Sequence, residues 1–278
     1  MSGNPRRREV RGLTLGFLSL GASAAPLDVL SAAAQAGFGA AGLRISARNP
    51  GDSWSRPNAE GDGLEQIRAR AEALSIRISS ISGYYVSDKT SLSHLLANVE
   101  AARRLGAPLI SQGCFEPKLG RVAGLLRDYA RAAADVGVRI ALEFMPMSTL
   151  KTIDDTRRVI AESDARNVGL LIDSLHLARS GAGASDVRAL DPRSIYLTQL
   201  CDAPAVRAPT TTLFDEAMSG RLYLGDGGLD LKGLVAALPP DAEIELETPV
   251  VGDAALPGGE RAKRAAEKAA AFFASHFG

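Results

Sequence analysis

Apolar and polar positions along the chain follow two rhythms. Short runs of alternating or continuous apolar residues give way to longer stretches with a helical period, and the pair repeats. The pattern predicts strands over Thr14–Leu20, Ala40–Ile45, Ile78–Tyr84, Leu109–Gly113, Val138–Phe144, Val168–Asp173, Ile195–Gln199 and Glu243–Glu247. Helices are predicted through Leu27 to Ala34, then over Gly63–Leu74, Ser91–Leu105, Gly120–Val136, Ile153–Glu162, Leu229–Leu238 and Glu260–Phe273, with a weak one around Asp186–Leu190. Gly37, Gly106 and Gly137 stand where helices should stop.

Consecutive parallel strands need a crossover, and a helix is the usual one. Eight strand–helix units of about 35 residues each predict a single (β/α)8 TIM barrel, an eight-stranded parallel barrel with outer helices. One domain then spans 1–278, with 1–11 as a flexible N-terminal tail. A doubly wound open sheet is the rival, but no G-x-G-x-x-G loop follows the first strand.

Strand parity concentrates chemistry at one end. The outer face of a barrel strand must be apolar to seat helices. In Glu243-Ile244-Glu245-Leu246-Glu247 the apolar pair faces out, so the glutamates point inward. The same count turns Glu143, Asp173 and Gln199 inward at the ends of their strands. Four oxygen-bearing side chains, Glu143, Asp173, Gln199 and Glu247, are thus expected at the C-terminal mouth, where barrel active sites lie. Carboxylates aimed at one another repel and raise one another's pKa. A divalent cation is the simplest compensation; pairing with Arg44, Arg139 or Lys118 is the structural alternative. An oxygen-rich donor set favours Mn2+ or Mg2+ over Zn2+, with Co2+ a substitute. Glu245, one layer deeper, is expected to pair with Arg44.

Composition narrows the classes. Thirty-two basic residues balance thirty-two acidic ones, which argues against a nucleic-acid binder or a binder of anionic membranes. No apolar run reaches the length of a membrane-spanning helix. Two cysteines, Cys114 and Cys201, build neither a disulfide scaffold nor a cysteine zinc site. Arg6-Arg7-Arg8, the apolar stretch to Leu20 and Ala22-Ser23-Ala24 mimic a secretory leader. Gly12 and Gly16 interrupt that stretch and the regular pattern continues after it, so it reads as the first buried strand of a cytoplasmic protein.

The elements Ala141-Leu142-Glu143-Phe144, Leu171-Ile172-Asp173-Ser174-Leu175-His176, Leu197-Thr198-Gln199-Leu200-Cys201-Asp202 and Leu246-Glu247-Thr248-Pro249 resemble, as an ordered set, the xylose isomerase-like barrel superfamily. More narrowly they resemble its sugar phosphate isomerase/epimerase branch. The resemblance implies that Glu143, Asp173, Gln199 and Glu247 bind one divalent metal, Gln199 standing where many members have histidine. It also implies an isomerase or epimerase acting on a keto-sugar or related polyhydroxylated small molecule. Glu143 and Glu247 would be acid and base beside a metal-stabilised enediolate.

His176 and Asp202 are expected to orient substrate hydroxyls, although Asp202 could instead cap a loop. Arg221, ahead of Gly225-Asp226-Gly227, is expected to grip an oxygen-rich end of the substrate, and Trp54 to stack on an apolar face. Of Tyr84 and Tyr85, one should line the pocket. The superfamily also holds abasic-site endonucleases, but three histidines are too few for their metal cluster. Two rivals remain: a metal-dependent lyase or dehydratase starting from the same proton abstraction, and a non-catalytic small-molecule-binding barrel. Ala265, Ala266, Ala269, Ala270, Phe272 and Phe273 offer apolar surface for barrel packing or a homodimer.

Overall fold

The computed structural model describes residues 6–52 and 63–278. In its first half, β1 (Thr14–Gly16), α1 (Pro26–Ala36), β2 (Ala40–Arg44), α2 (Gly63–Leu74), β3 (Arg77–Ser82), α3 (Leu92–Leu105), β4 (Leu109–Gln112) and α4 (Leu119–Asp135) alternate strictly. The second half runs β5 (Arg139–Glu143), α5 (Ile153–Ser163), β6 (Val168–Asp173), α6 (Ser174–Arg179), α7 (Ala184–Arg188), β7 (Ile195–Leu200), α8 (Leu213–Ser219), α9 (Leu231–Ala237), β8 (Ile244–Leu246) and α10 (Gly258–Phe277). The strands pair in parallel, in chain order, and β1 closes on β8. The fold is therefore a closed (β/α)8 barrel.

Two layers of apolar packing follow from strand parity. Outward residues such as Ile140, Leu142, Leu170, Ile172, Ile244 and Leu246 join the helices in one large core. Inward residues Leu109, Ala141, Leu171 and Leu197 form a separate small cluster inside the barrel. The remainder of the interior is polar, and glycines create the room. Glu245 is 2% exposed. A Cβ on Gly16 would lie 2.8 Å from its Oε1, and one on Gly42 would lie 2.1 Å from its Oε2. Only a residue without a side chain fits at either place.

Several elements differ from the sequence expectation. The strand expected over Thr14–Leu20 ends at Gly16, and Phe17–Leu20 forms a 3-10 turn that rolls over the barrel mouth. Two short helices, α6 and α8, are additional; Asp173 caps the first and Thr212 the second. The N-terminal tail is partly structured, since Val10–Gly12 makes a 3-10 turn and Arg8 donates to the Ala242 carbonyl at 3.3 Å. On α10, Ala265, Ala266, Ala269, Phe272 and Phe273 are buried within the chain, so these residues serve barrel packing. No helix among the described residues is long and apolar enough to cross a membrane.

Candidate active site

A cavity opens at the C-terminal ends of the strands. Glu143, His176, Gln199, Arg221 and Glu247 line it, with Arg48, Ser82, Tyr85, Ser111 and Phe214 on the remaining walls. Asp173 is buried just behind.

The strand ends set most of these positions. Glu143 and Asp173 are the last residues of β5 and β6, and Gln199 is the penultimate residue of β7. Glu247 follows β8 directly. Asp173 also begins α6: its Oδ1 accepts the His176 backbone N–H at 2.9 Å. That cap turns the spacing Asp173-x-x-His176 into a fixed geometry, because a side-chain oxygen at a helix start satisfies the free N–H two or three residues on. Glu143, Asp173 and His176 thereby place three ligand atoms within 4.8 Å of one another, a grouping that suggests a divalent-metal site.

Arg221 sits among the acids. It is 2% exposed, and its three nitrogens are all engaged. Nε donates to the Ala217 carbonyl at 2.8 Å, Nη1 to Asp173 Oδ2 at 2.5 Å, and Nη2 pairs with Glu247 Oε2 at 3.0 Å. Gln199 Nε2 lies 2.7 Å from Glu245 Oε1 and 3.2 Å from Glu247 Oε1. An amide atom between two carboxylate oxygens must be the NH2 group, which leaves the amide oxygen as the atom Gln199 would offer a cation. Glu245 takes its second hydrogen bond from Ser80 at 3.0 Å. The expected Glu245–Arg44 pairing is replaced by these two contacts. Arg44 donates instead to the Ser46 and Ala22 carbonyls.

The acids carry more negative charge than Arg221 balances. Burial, then Glu247 and Asp173, push the Glu143 carboxyl well above the ordinary range. Burial raises Glu247 to about 8 and Glu245 to about 7. Asp173 moves the other way, since the Arg221 guanidinium and His176 outweigh its burial. Burial pushes His176 down to about 4, so its imidazole is neutral, and its Nε2 lies 3.7 Å from Glu143 Oε1. Glu143, Asp173 and His176 are the group here whose ligand atoms stand close enough to suggest a divalent-cation site, and the raised carboxyls of Glu143 and Glu247 mark the negative charge a cation would compensate.

Asp202 has a different task from the one expected of it. Its carboxylate accepts the backbone N–H groups of Ala203, Gly225, Gly227 and Leu229 at 2.9–3.1 Å. A Cβ on Gly227 would come within 2.4 Å of Asp202 Oδ1. The Gly225-Asp226-Gly227 element thus wraps Asp202, which caps a loop and is not among the cavity-lining residues. Trp54 lies outside the described residues. Tyr85 lines the cavity, while Tyr84 turns toward His94, with ring centroids 5.5 Å apart.

Apart from Tyr85, the sequence expectation missed the opposite wall. Arg48, Tyr85, Phe214 and Met218 meet there, and Phe214 and Met218 come from α8. That helix is held by Glu216, which pairs with Arg179 at 2.7 Å in a largely buried contact. Continuing the inward parity of Arg44 past the strand end to Ser46 and Arg48 would have pointed to Arg48.

Residues 30–276 match the xylose isomerase-like TIM barrel family, and the chain belongs to it. Among characterised relatives, the inosose isomerase of Bacillus subtilis (strain 168) is 29% identical over 116 residues, 41% of this chain and 40% of that protein. The 3-dehydroshikimate dehydratase of Pseudomonas aeruginosa is 29% identical over 122 residues, 44% of this chain and 18% of that one. The match thus spans about two fifths of the isomerase and less than a fifth of the dehydratase. The crystal structure of IolI protein with a binding zinc atom superposes with a TM-score of 0.75 at 18% identity, covering 95% of this chain and 99% of that one. At that identity the likeness shows the shared barrel.

Proposed function

We propose that this protein is an isomerase or epimerase that moves a proton next to the carbonyl of a keto-sugar or related polyhydroxylated small molecule. The observation that carries this reading is the convergence of Glu143 and Glu247, from non-adjacent strands, on one cavity at the barrel mouth. Burial raises both carboxyls above the ordinary range, with Glu247 and Asp173 adding to it at Glu143 and Asp173 and Glu245 adding to it at Glu247, the kind of shift that suits acid–base work.

Glu143 is the better-placed base. Its carboxylate reaches the cavity, and the imidazole 3.7 Å away leaves it outside a short hydrogen bond. Glu247, held by Arg221 and Gln199, is the partner that returns the proton. Neutral His176 donates to or accepts from a substrate hydroxyl, and Ser82 and Ser111 offer further hydroxyl contacts on the β3 and β4 side. Arg221 fixes Asp173 and Glu247, and its positive charge favours negative charge developing on substrate oxygen. Phe17, Tyr85, Phe115, Met145, Met147 and Met218 give the cavity apolar walls beside its polar groups.

Glu143, Asp173, Gln199 and Glu247, with His176 beside them, are the groups that would hold one divalent cation; Mn2+ or Mg2+ suits three carboxylates and an amide oxygen best. When bound, such a cation would polarise the substrate carbonyl and adjacent hydroxyl oxygens. The similarity to a dehydratase supports a second reading on the same residues. There the first proton abstraction is followed by loss of a β-hydroxyl instead of reprotonation.

Incubation of the Mn2+-loaded protein in D2O with open-chain and cyclic keto-polyols, followed by NMR, tests both readings. Deuterium at the carbon next to the carbonyl, with an isomer accumulating, supports the isomerase; an unsaturated product supports the dehydratase. Unchanged protons in every substrate would count against proton-transfer chemistry at this site.

A further inference from the structure

Among the described residues, Arg48 is the one cavity-lining cation that pairs with no acid of the carboxylate cluster. It lies four residues beyond Arg44, in the segment that follows β2, and its backbone carbonyl accepts the Tyr85 N–H at 2.6 Å. The guanidinium carbon lies 5.8 Å from the Tyr85 ring centroid and 5.9 Å from that of Phe214. Its Nη2 rests 2.9 Å from Met218 Sδ, a weak acceptor for a charged donor. None of the ion pairs among the described residues involves Arg48.

Among the described residues this half-buried guanidinium meets two rings and a thioether and no carboxylate. A partner carboxylate is the usual solution for such a group, because its five donors match an oxyanion in a fork. The described acid nearest in sequence, Asp52, instead accepts from the Asn49 side chain at 2.9 Å. Glu247 feels Arg48 only weakly; its direct cationic partner is Arg221. Burial, and then the nearby Arg48, lower Arg44 to about 10. Among the described residues, Arg48 thus stands on the β2 side of the mouth, facing a cluster of acids across the same cavity.

From this juxtaposition we infer that Arg48 is the receptor for an anionic substituent of the substrate, a carboxylate or phosphate carried at the end remote from the reacting carbonyl. The inference rests on the proposed reading of the cavity as a substrate pocket and sharpens its substrate class. An uncharged keto-polyol would leave Arg48 without a partner in the complex. A substrate with a ring or short chain between carbonyl and anion can span the two poles and stay in one orientation. That orientation presents the carbon next to the carbonyl to Glu143 and keeps the anion away from the acids.

Isothermal titration with a hydroxylated cyclohexenone carboxylate and with its primary amide, which has the same shape and no charge, tests the inference. A phosphate ester of a keto-polyol and the parent keto-polyol form a second pair and separate the two sources of anion. The expected result is binding at least about tenfold tighter for one of the anions than for its neutral counterpart. Arg48→Met removes that preference, and Arg48→Lys, which keeps the charge but not the fork, retains part of it. The melting temperature of each variant confirms that it is folded.

Equal affinity of both anions and their neutral counterparts in the unmodified protein would overturn the inference, as would a preference that survives in Arg48→Met. The D2O experiment is read separately. A charge preference with no deuterium uptake rejects the proton-transfer reading and leaves Arg48 as an anion receptor. Deuterium uptake without a charge preference does the reverse.

Discussion

Arg221 donates to Asp173 at 2.5 Å with both side chains all but excluded from water, at 2% and 0% exposure. The same guanidinium reaches Glu247 at 3.0 Å. It therefore ties β6 to the residue after β8 across the intervening strand and sets where two of the mouth acids stand. Removing one member of such a contact leaves buried charge without compensation.

Arg221→Met should for that reason destabilise the chelator-treated protein by about 3–5 kcal/mol, which urea denaturation reads directly. Excess Mn2+ should restore part of the loss, because a cation can compensate the same carboxylates. A variant as stable as the parent would contradict the role given to this contact.

Glu143→Gln should lower the rate of deuterium uptake by about 10^2–10^4-fold while leaving the fold intact. Its chelator-treated form should melt no lower than the parent, since the substitution removes one of the mutually repelling acids. Loss of stability in place of loss of rate would make Glu143 a structural residue.

Stability should depend on pH through Glu245. Burial raises its carboxyl to about 7 from an ordinary 4.5, so the folded protein holds this proton over a range in which the unfolded chain has released it. Stability then falls as pH rises from about 4.5 to about 7 and levels off above that. Melting curves of chelator-treated protein should show this slope, and Glu245→Gln should flatten it. A variant that keeps the full slope would assign it to other groups.

Burial pushes the Cys114 thiol up to about 11. At pH 8 almost none of it is thiolate, and Cys114 should resist iodoacetamide in the folded protein and react once urea unfolds it. Rapid alkylation of the native protein would show that the β4 end opens.

Much of the barrel was legible because parallel strands with helices outside leave a plain mark. The alternation in Glu243-Ile244-Glu245-Leu246-Glu247 identifies which residues face inward without any knowledge of the neighbours. Contacts between residues far apart in sequence left no such mark. Asp202 reads as a polar residue beside the site, and nothing local reveals that four backbone N–H groups converge on it. Arg44 has the parity to meet Glu245, yet Ser80 and Gln199 reach it instead. The helices Ser174–Arg179 and Leu213–Ser219 are too short to show a period and depend on their caps. Of the Arg48 wall only the Tyr85 position was anticipated, because the rest comes from the segment after β2 and from α8.

Titration of chelator-stripped protein with Mn2+ by calorimetry, alongside its melting temperature, tests most directly that the mouth acids form a divalent-cation site. The account predicts one Mn2+ per chain and, with metal at about 100 times its dissociation constant, about 2.7 kcal/mol of added stability. For a chain of this size that is a rise of about 5–10 °C, and both effects should be lost in Glu143→Gln and Glu247→Gln. No heat and no rise in the unmodified protein, or binding that survives both substitutions, would contradict it.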